Sequence, residues 1–303
     1  MSIMPGAMLG MLGGGQLGRM FVMAAQSMGY RVTVLDPSAD SPAGRVADHF
    51  VCAEYTDETA LQELGHTCAG VTTEFENIPA ASLRYLAELC VVSPDAHSVS
   101  IAQNRSIEKK FLVDHGFSVA PFVVINDRAA LAQPISDQLF PGILKASQFG
   151  YDGKGQARIM APADADQAFA DMAGAPAILE GFVDFSHEVS VIAARNPDGA
   201  VACYDPGENV HVDGILRTTT VPADITSSQQ MDAVLLSAKI LNALDYVGVM
   251  GVELFVTPKG LIVNEVAPRV HNSGHWTQNG CLVDQFEQHI RAVAGWPLAN
   301  GER

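Results

Sequence analysis

The sequence predicts an α/β protein: a doubly wound parallel sheet over residues 1–98, then a longer α+β region over 99–303 that contains a small module at 121–183. In the first part short apolar runs alternate with helical patterns, the signature of parallel strands joined by crossover helices. A glycine-rich turn links the first run to the first helix, and the later runs are spaced like hairpins.

Residues 7–12 read as the first strand, 16–28 as a helix closed by Gly29, and 31–36 as the second strand. A glycine just past a helix is a natural stop, because it takes the left-handed cap conformation without a Cβ clash. Residues 70–73 and 91–93 are further strands, with a helix at 80–90 between them. A helix at 106–115 ends at Gly116, and the texture then changes. Short strands at 121–124, 143–145, 157–160 and 177–180 surround one helix at 164–173. Beyond them, antiparallel-type strands at 188–194, 201–204, 215–221, 249–255 and 261–266 accompany helices at 228–243 and 283–293.

With 48% apolar residues the chain can bury an ample core, and 34 acidic against 18 basic residues leave a net charge of −16. That charge argues against a nucleic-acid partner, since a surface that tracks phosphates needs a basic excess. Five scattered cysteines without a C-x-x-C pair predict reduced thiols in the cytoplasm, not a disulfide frame or a zinc site. The apolar N-terminus is broken by Gly10, Gly13, Gly14 and Gly15 and lacks a basic leader, so it reads as neither signal peptide nor membrane span.

Four stretches carry chemistry. Leu12-Gly13-Gly14-Gly15-Gln16-Leu17-Gly18 contains G-x-G-x-x-G between strand and helix, and Asp36 ends the second strand. This fits a dinucleotide, another phosphorylated ligand held at a helix N-terminus, or simply a tight turn. Lys145 ends an apolar strand and precedes Gln148-Phe149-Gly150-Tyr151-Asp152-Gly153-Lys154-Gly155-Gln156, a mobile loop whose N–H groups could fold over an anion. The alternative is a solvated surface loop. Glu180-Gly181-Phe182-Val183 ends another strand that could offer backbone groups to an adenine edge, with Glu188 within reach of a ribose.

The strongest pattern is a predicted hairpin. Symmetric pairing about Lys259 sets Glu253 opposite Glu265, and two carboxylates so placed repel unless a cation sits between them. A register slip would put one glutamate in solvent instead. Asn264, Glu265, Arg269, His271, Asn272 and His275 then crowd one short segment, while His211 sits in a polar stretch that fits a site or a surface equally.

As a set, residues 13–20, 74–77, 149–156, 213–218 and 264–280 resemble the 5-(carboxyamino)imidazole ribonucleotide synthetases, ATP-grasp enzymes of purine synthesis. The likeness covers nearly the whole chain, and the run from Ala267 to Thr277 is its most specific part. The resemblance implies an N-terminal domain at 1–98 and an ATP-grasp domain at 99–303, with a lid subdomain at 121–183. It implies carboxylation of 5-aminoimidazole ribonucleotide with ATP and bicarbonate, through carboxyphosphate. Arg105, Lys145, Gly150, Asp152, Gly153, Gly155, Gln156, Glu180, Gly181, Phe182, Val183, Glu188, His211, Asn264 and Glu265 would then hold ATP. Arg269, His271, Lys154 and Tyr151 would be catalytic, and Gly15, Gln16, Leu17, Glu74, Glu76 and Asn272 would face the ribonucleotide. Glu253 and Glu265 would bind magnesium or manganese, with neither NAD nor biotin, in a cytoplasmic homodimer without nucleic-acid or membrane partners.

Formate-using glycinamide ribonucleotide formyltransferases are the nearest rival, but they tend to carry acids where this sequence has Gln16 and Asn272. An NAD oxidoreductase and an inactive ATP-binding module are the readings from other classes. The family usually continues into a segment with a lysine and closely spaced arginines that hold the ribose phosphate, whereas this sequence stops at Arg303. The expectation is therefore normal ATP binding with weak ribonucleotide binding.

Overall fold

A computed structural model describes residues 2–131, 133, 135–148, 155–212 and 214–303. The N-terminal sheet is built from β1 (Met8–Leu12), β2 (Arg31–Leu35), β3 (His49–Val51), β4 (Gly70–Thr73) and β5 (Val91–Val92). All its pairings are parallel, in the order β3-β2-β1-β4-β5. The first strand lies at the centre and is buried along its whole length, which is why it reads as a continuous apolar run. Its crossovers include α1 (Gln16–Ser27), α2 (Glu58–Thr67) and α3 (Ala80–Ala87). The sequence pattern misses β3, three residues with exposed or half-buried side chains, and α2, whose start is marked by the Asp57 cap on the Ala60 N–H.

Two helices, α4 (Ala96–Ala102) and α5 (Arg105–Asp114), lead into the second half. Asn104 caps α5 by accepting from the Ser106 and Ile107 N–H groups, which starts the helix one residue before the expected position. The small module holds β6 (Phe122–Ile125), α6 (Arg128–Leu131), β7 (Gly142–Ala146), β8 (Gln156–Ile159), α7 (Ala165–Asp171) and β9 (Ala177–Gly181). Its antiparallel sheet runs β6-β9-β7-β8. The last sheet has six strands: β10 (His187–Arg195), β11 (Val201–Cys203), β12 (Gly207–Val212), β13 (Ile215–Thr220), β14 (Gly248–Thr257) and β15 (Gly260–Ala267). With it come α8 (Ser227–Ala243), the short α9 (Thr277–Gly280) and α10 (Gln285–Val293). The strand β12 is absent from the apolar pattern because its residues, Gly-Glu-Asn-Val-His-Val, are mostly polar.

Strand alternation explains how the last sheet serves two purposes. Val189, Val191, Val252, Leu254 and Val256 face α8 and form one core with its Ala233, Ile240 and Leu241. The opposite face of β10 and β14 divides along its length. Ile192, Ala194 and Val249 join Leu9, Phe21, Val22, Phe286 and Ile290 in a core shared with the N-terminal sheet, while Glu188, Ser190 and Glu253 remain beside a cleft. Among the described residues no helix is long and apolar enough to cross a membrane.

His289, on α10, ties the two sheets together from complete burial. Its Nδ1 accepts from the Val249 N–H at 2.9 Å, so Nε2 carries the hydrogen and faces Thr72 Oγ1 at 2.7 Å. Burial pushes its pKa down to about 4. The neutral ring favoured in the fold contributes stability fully above its unfolded pKa near 6.5, and that contribution is lost as pH falls towards about 4. Urea unfolding at pH 7 and pH 5 should show a loss of about 2 kcal/mol that the His289→Asn variant does not share. Equal pH dependence in both proteins would remove the assignment.

Candidate active site

The hairpin β14–β15 sets the centre of the cleft. Thr257 pairs with Gly260 across a two-residue turn of Pro258 and Lys259, so the hairpin is not symmetric about Lys259. A regular ladder from that turn would pair Glu253 with Asn264 and send Glu265 to the α8 face. A β-bulge between Glu253 and Leu254 shifts the register by one, and Glu265 comes opposite Glu253 as expected. The expected pairing is thus reached by an unexpected route. Asn264, the extra residue, lies against the same carboxylate, with Nδ2 at 3.5 Å from Glu253 Oε2.

One face of α5 grips this bulge. Arg105 donates to Glu265 Oε2 at 2.7 Å, Glu108 accepts from the Val266 N–H at 2.7 Å, and Lys109 donates to the Asn264 carbonyl at 2.8 Å. Residues spaced three and four apart share a helix face, so one helix delivers all three contacts. Burial, followed by the Glu265 charge, pushes the Glu108 carboxyl up to about 8. Burial also raises Glu253, with Glu265 and Glu188 adding to it. For Glu265 burial acts the same way, but the Arg105 charge prevails and holds the carboxyl low.

The surrounding cleft, with a cavity volume of about 470 Å³, gathers twelve of the expected residues. Lys145 and Gln156 border it from the small module, Glu188 and His211 from the large sheet, and Arg269, His271 and Asn272 from the segment after β15. His211 Nδ1 lies 3.1 Å from Glu188 Oε1, and this contact raises the imidazole pKa. The ligating atoms of Glu188, His211 and Glu253 lie within 4.8 Å of one another, a grouping the sequence pattern does not anticipate.

His271 crosses β14 where Gly251 leaves room, since a Cβ there would stand 2.9 Å from the His271 Cβ. Its Nδ1 accepts from Ser273, by N–H at 3.3 Å and Oγ at 2.8 Å, and Ser273 Oγ in turn contacts Ser190 Oγ at 2.7 Å. The hydrogen therefore sits on Nε2, 3.5 Å from Glu253 Oε1. Burial, then the Arg269 charge, takes the ring down to about 3, so it is neutral near pH 7.

Contacts with the N-terminal region close the cleft. Arg269 Nε donates to Glu76 Oε2 at 2.7 Å, and Gln16 Nε2 donates to Asn272 Oδ1 at 3.3 Å. Other expected residues lie differently. Glu74 is buried and caps α1, accepting from the Gly15 N–H and from the Leu17 N–H at 3.1 Å. Asp36 accepts from Gly14 N–H, Ser38 N–H and the Tyr55 hydroxyl. A Cβ on Gly15 would come within 2.4 Å of Glu74 Oε1. The glycines thus admit the protein's own carboxylates to the helix N-terminus, and this corrects the dinucleotide reading of the turn. Glu74, Gly15 and Leu17 thus form a cap within the chain itself, next to Gln16, which reaches Asn272 at the cleft.

At the end of β9, Glu180 is buried between Lys145 and Lys109, and the N–H groups of Gly181 and Phe182 donate to the Pro121 and Pro141 carbonyls. Phe182 itself is exposed and Val183 half-buried. Gly155 accepts from the Ala146 N–H through its carbonyl. Gly150, Tyr151, Asp152, Gly153 and Lys154 lie outside the described residues. The sequence offers no sign of Glu108 and Lys109 as site residues. They read as ordinary surface charges of a helix, and only the docking of α5 on β15 buries them. Because Glu108 is largely protonated near pH 7, Glu108→Gln keeps the acceptor for Val266 and should preserve stability. Glu108→Ala should cost about 1–3 kcal/mol in urea unfolding by orphaning that N–H, and equal stability of the two variants would contradict the contact.

The ribonucleotide synthetase preATP-grasp domain family matches residues 7–103, and the ATP-grasp domain family matches residues 110–286. The N5-carboxyaminoimidazole ribonucleotide synthase of Brucella melitensis is 50% identical over 100% of this chain and 84% of its own length. A crystal structure of an N5-carboxyaminoimidazole ribonucleotide synthetase–ADP complex superposes with a TM-score of 0.94 at 41% identity, covering 98% of this chain and 79% of that one. The Aspergillus clavatus N5-carboxyaminoimidazole synthase, in complex with ADP and 5-aminoimidazole ribonucleotide, gives a TM-score of 0.90 at 31% identity over 98% and 78% of the two chains. With the cleft, the three-sheet architecture and these likenesses together, the chain belongs to the N5-carboxyaminoimidazole ribonucleotide synthase family of ATP-grasp enzymes.

Proposed function

We propose that this chain uses ATP and bicarbonate to carboxylate the exocyclic amine of 5-aminoimidazole ribonucleotide. The observation that carries this reading is the meeting of two half-sites. Gln16 and Glu76, from the N-terminal region, bond directly to Asn272 and Arg269, beside the cationic groups suited to a nucleotide's phosphates. The relatives' names and the ADP and aminoimidazole ribonucleotide in the fungal complex support it.

Phosphoryl transfer needs positioning and charge neutralisation more than covalent help from the protein. Bicarbonate oxygen attacks the γ-phosphorus of ATP, the bond to the β-phosphate oxygen breaks, and carboxyphosphate and ADP result. The amine then attacks the carboxyl carbon, phosphate leaves, and the amine loses a proton. Lys145 and Arg105 would offset phosphate charge, and Arg269 the carboxyphosphate. Neutral His271, with its Nε2–H fixed by Ser273, would donate a hydrogen bond to a developing anion without adding full charge.

Glu253 and Glu265 suit magnesium or manganese shared with the nucleotide phosphates, because opposed and partly buried carboxylates favour a hard cation. Such an ion would supply further neutralisation of the phosphates. We place the enzyme in the cytoplasm as a homodimer, with the dimer resting on the family resemblance and the compartment on the five free thiols.

The direct test is ADP release in bicarbonate buffer with and without aminoimidazole ribonucleotide. Turnover should depend on the ribonucleotide, and ATP hydrolysis indifferent to it would refute the reading. Glu265→Gln should lower kcat at least about 100-fold with the fold intact by circular dichroism. Unchanged magnesium-dependent turnover in that variant would move the metal elsewhere, Glu188, His211 and Glu253 being the first place to look.

A further inference from the structure

Glu180 faces two ammonium groups of unequal freedom. Lys145 Nζ lies 2.7 Å from its Oε2 and borders the cleft. Lys109 Nζ lies 3.2 Å from its Oε1, is 2% exposed, and does not reach the cleft. Lys109 is pinned besides by the Asn264 carbonyl at 2.8 Å and the Val263 carbonyl at 3.5 Å. A ligand can therefore draw Lys145 away, but not Lys109.

We propose that Lys109 is a positioning residue of the nucleotide site, the standing counter-ion of Glu180 that frees Lys145 for the phosphates. The inference rests on reading the cleft as a nucleotide site. A buried carboxylate with a single ammonium partner holds that partner tightly, because separating them leaves an uncompensated charge in the interior. With Lys109 in place, the departure of Lys145 leaves a neutral Glu180–Lys109 pair. The three charges together carry a surplus of +1, and the only mobile member stands at the cleft wall. Without Lys109, Glu180 would compete with phosphate for Lys145.

A structural brace and a counter-ion make different predictions in a double-mutant cycle. ADP with magnesium is titrated calorimetrically into the wild-type protein, Lys109→Met, Glu180→Gln and the double variant. Lys109→Met should weaken ADP binding at least about 10-fold. In the Glu180→Gln background the same substitution should have little effect, so that the double variant binds within about 3-fold of Glu180→Gln alone. Wild-type affinity in Lys109→Met would overturn the inference. So would a double variant at least about 10-fold weaker than Glu180→Gln alone, which would mean that Lys109 serves only to hold β15. If Lys109→Met does not fold, the double variant, which buries no unpaired charge, decides by the same 3-fold criterion. Wild-type protein that binds no ADP would overturn the nucleotide reading first, and this inference with it.

Discussion

The grip of α5 on the β15 bulge is the constraint on which the rest of the site depends. A bulge is a local irregularity that leaves a residue without a ladder partner, and where it is buried its polar groups need partners from outside the ladder. Here Lys109 takes the Asn264 carbonyl and Glu108 takes the Val266 N–H, one on each side of Glu265. Arg105, from the same face, takes the Glu265 carboxylate itself. Remove the helix and β15 would be free to relax by one residue, turning Glu265 into an apolar core. The arrangement thus converts an ordinary amphipathic helix into the device that sets which way a carboxylate points. The same helix reaches Glu180 through Lys109, so the hairpin and the small module are referred to one rigid element.

The N-terminal region contributes to the site in a less direct way. Its glycine turn looks built for a phosphorylated ligand, yet the positive end of α1 already has an anion in Glu74. That internal cap fixes the start of α1, and with it Gln16, whose side chain projects towards Asn272. The polar link of Arg269 to Glu76 fastens the other side. Both contacts bridge parts of the chain that are far apart in sequence, and the shared apolar core behind them keeps the bridging residues in register.

Much of this was legible in the sequence where a physical signal is local. Parallel strands announce themselves as apolar runs because both faces are buried, and β1 is the clear case. The hairpin carrying Glu253 and Glu265 was visible from its turn residues and alternation, although the true turn and the bulge were not. Two errors of one residue cancelled, since a symmetric hairpin and a bulged two-residue hairpin oppose the same pair. What stayed hidden depends on distant partners. Glu108 and Lys109 carry no local mark of burial, β12 offers only two valines among its six residues, and nothing near Glu74 in sequence marks it as the cap of α1.

The shared core has a further consequence for how the protein is made. The apolar face of α1, with Phe21 and Val22, is covered by Phe286 and Ile290 of α10. During synthesis α1 leaves the ribosome early, while its cover comes near the end of the chain. At roughly 5–20 residues per second, that interval lasts on the order of 10–50 s. Once α2 and α3 have followed, the first sheet has one finished face and one that is still apolar and open, the condition in which a nascent chain most needs a chaperone or a fast ribosome.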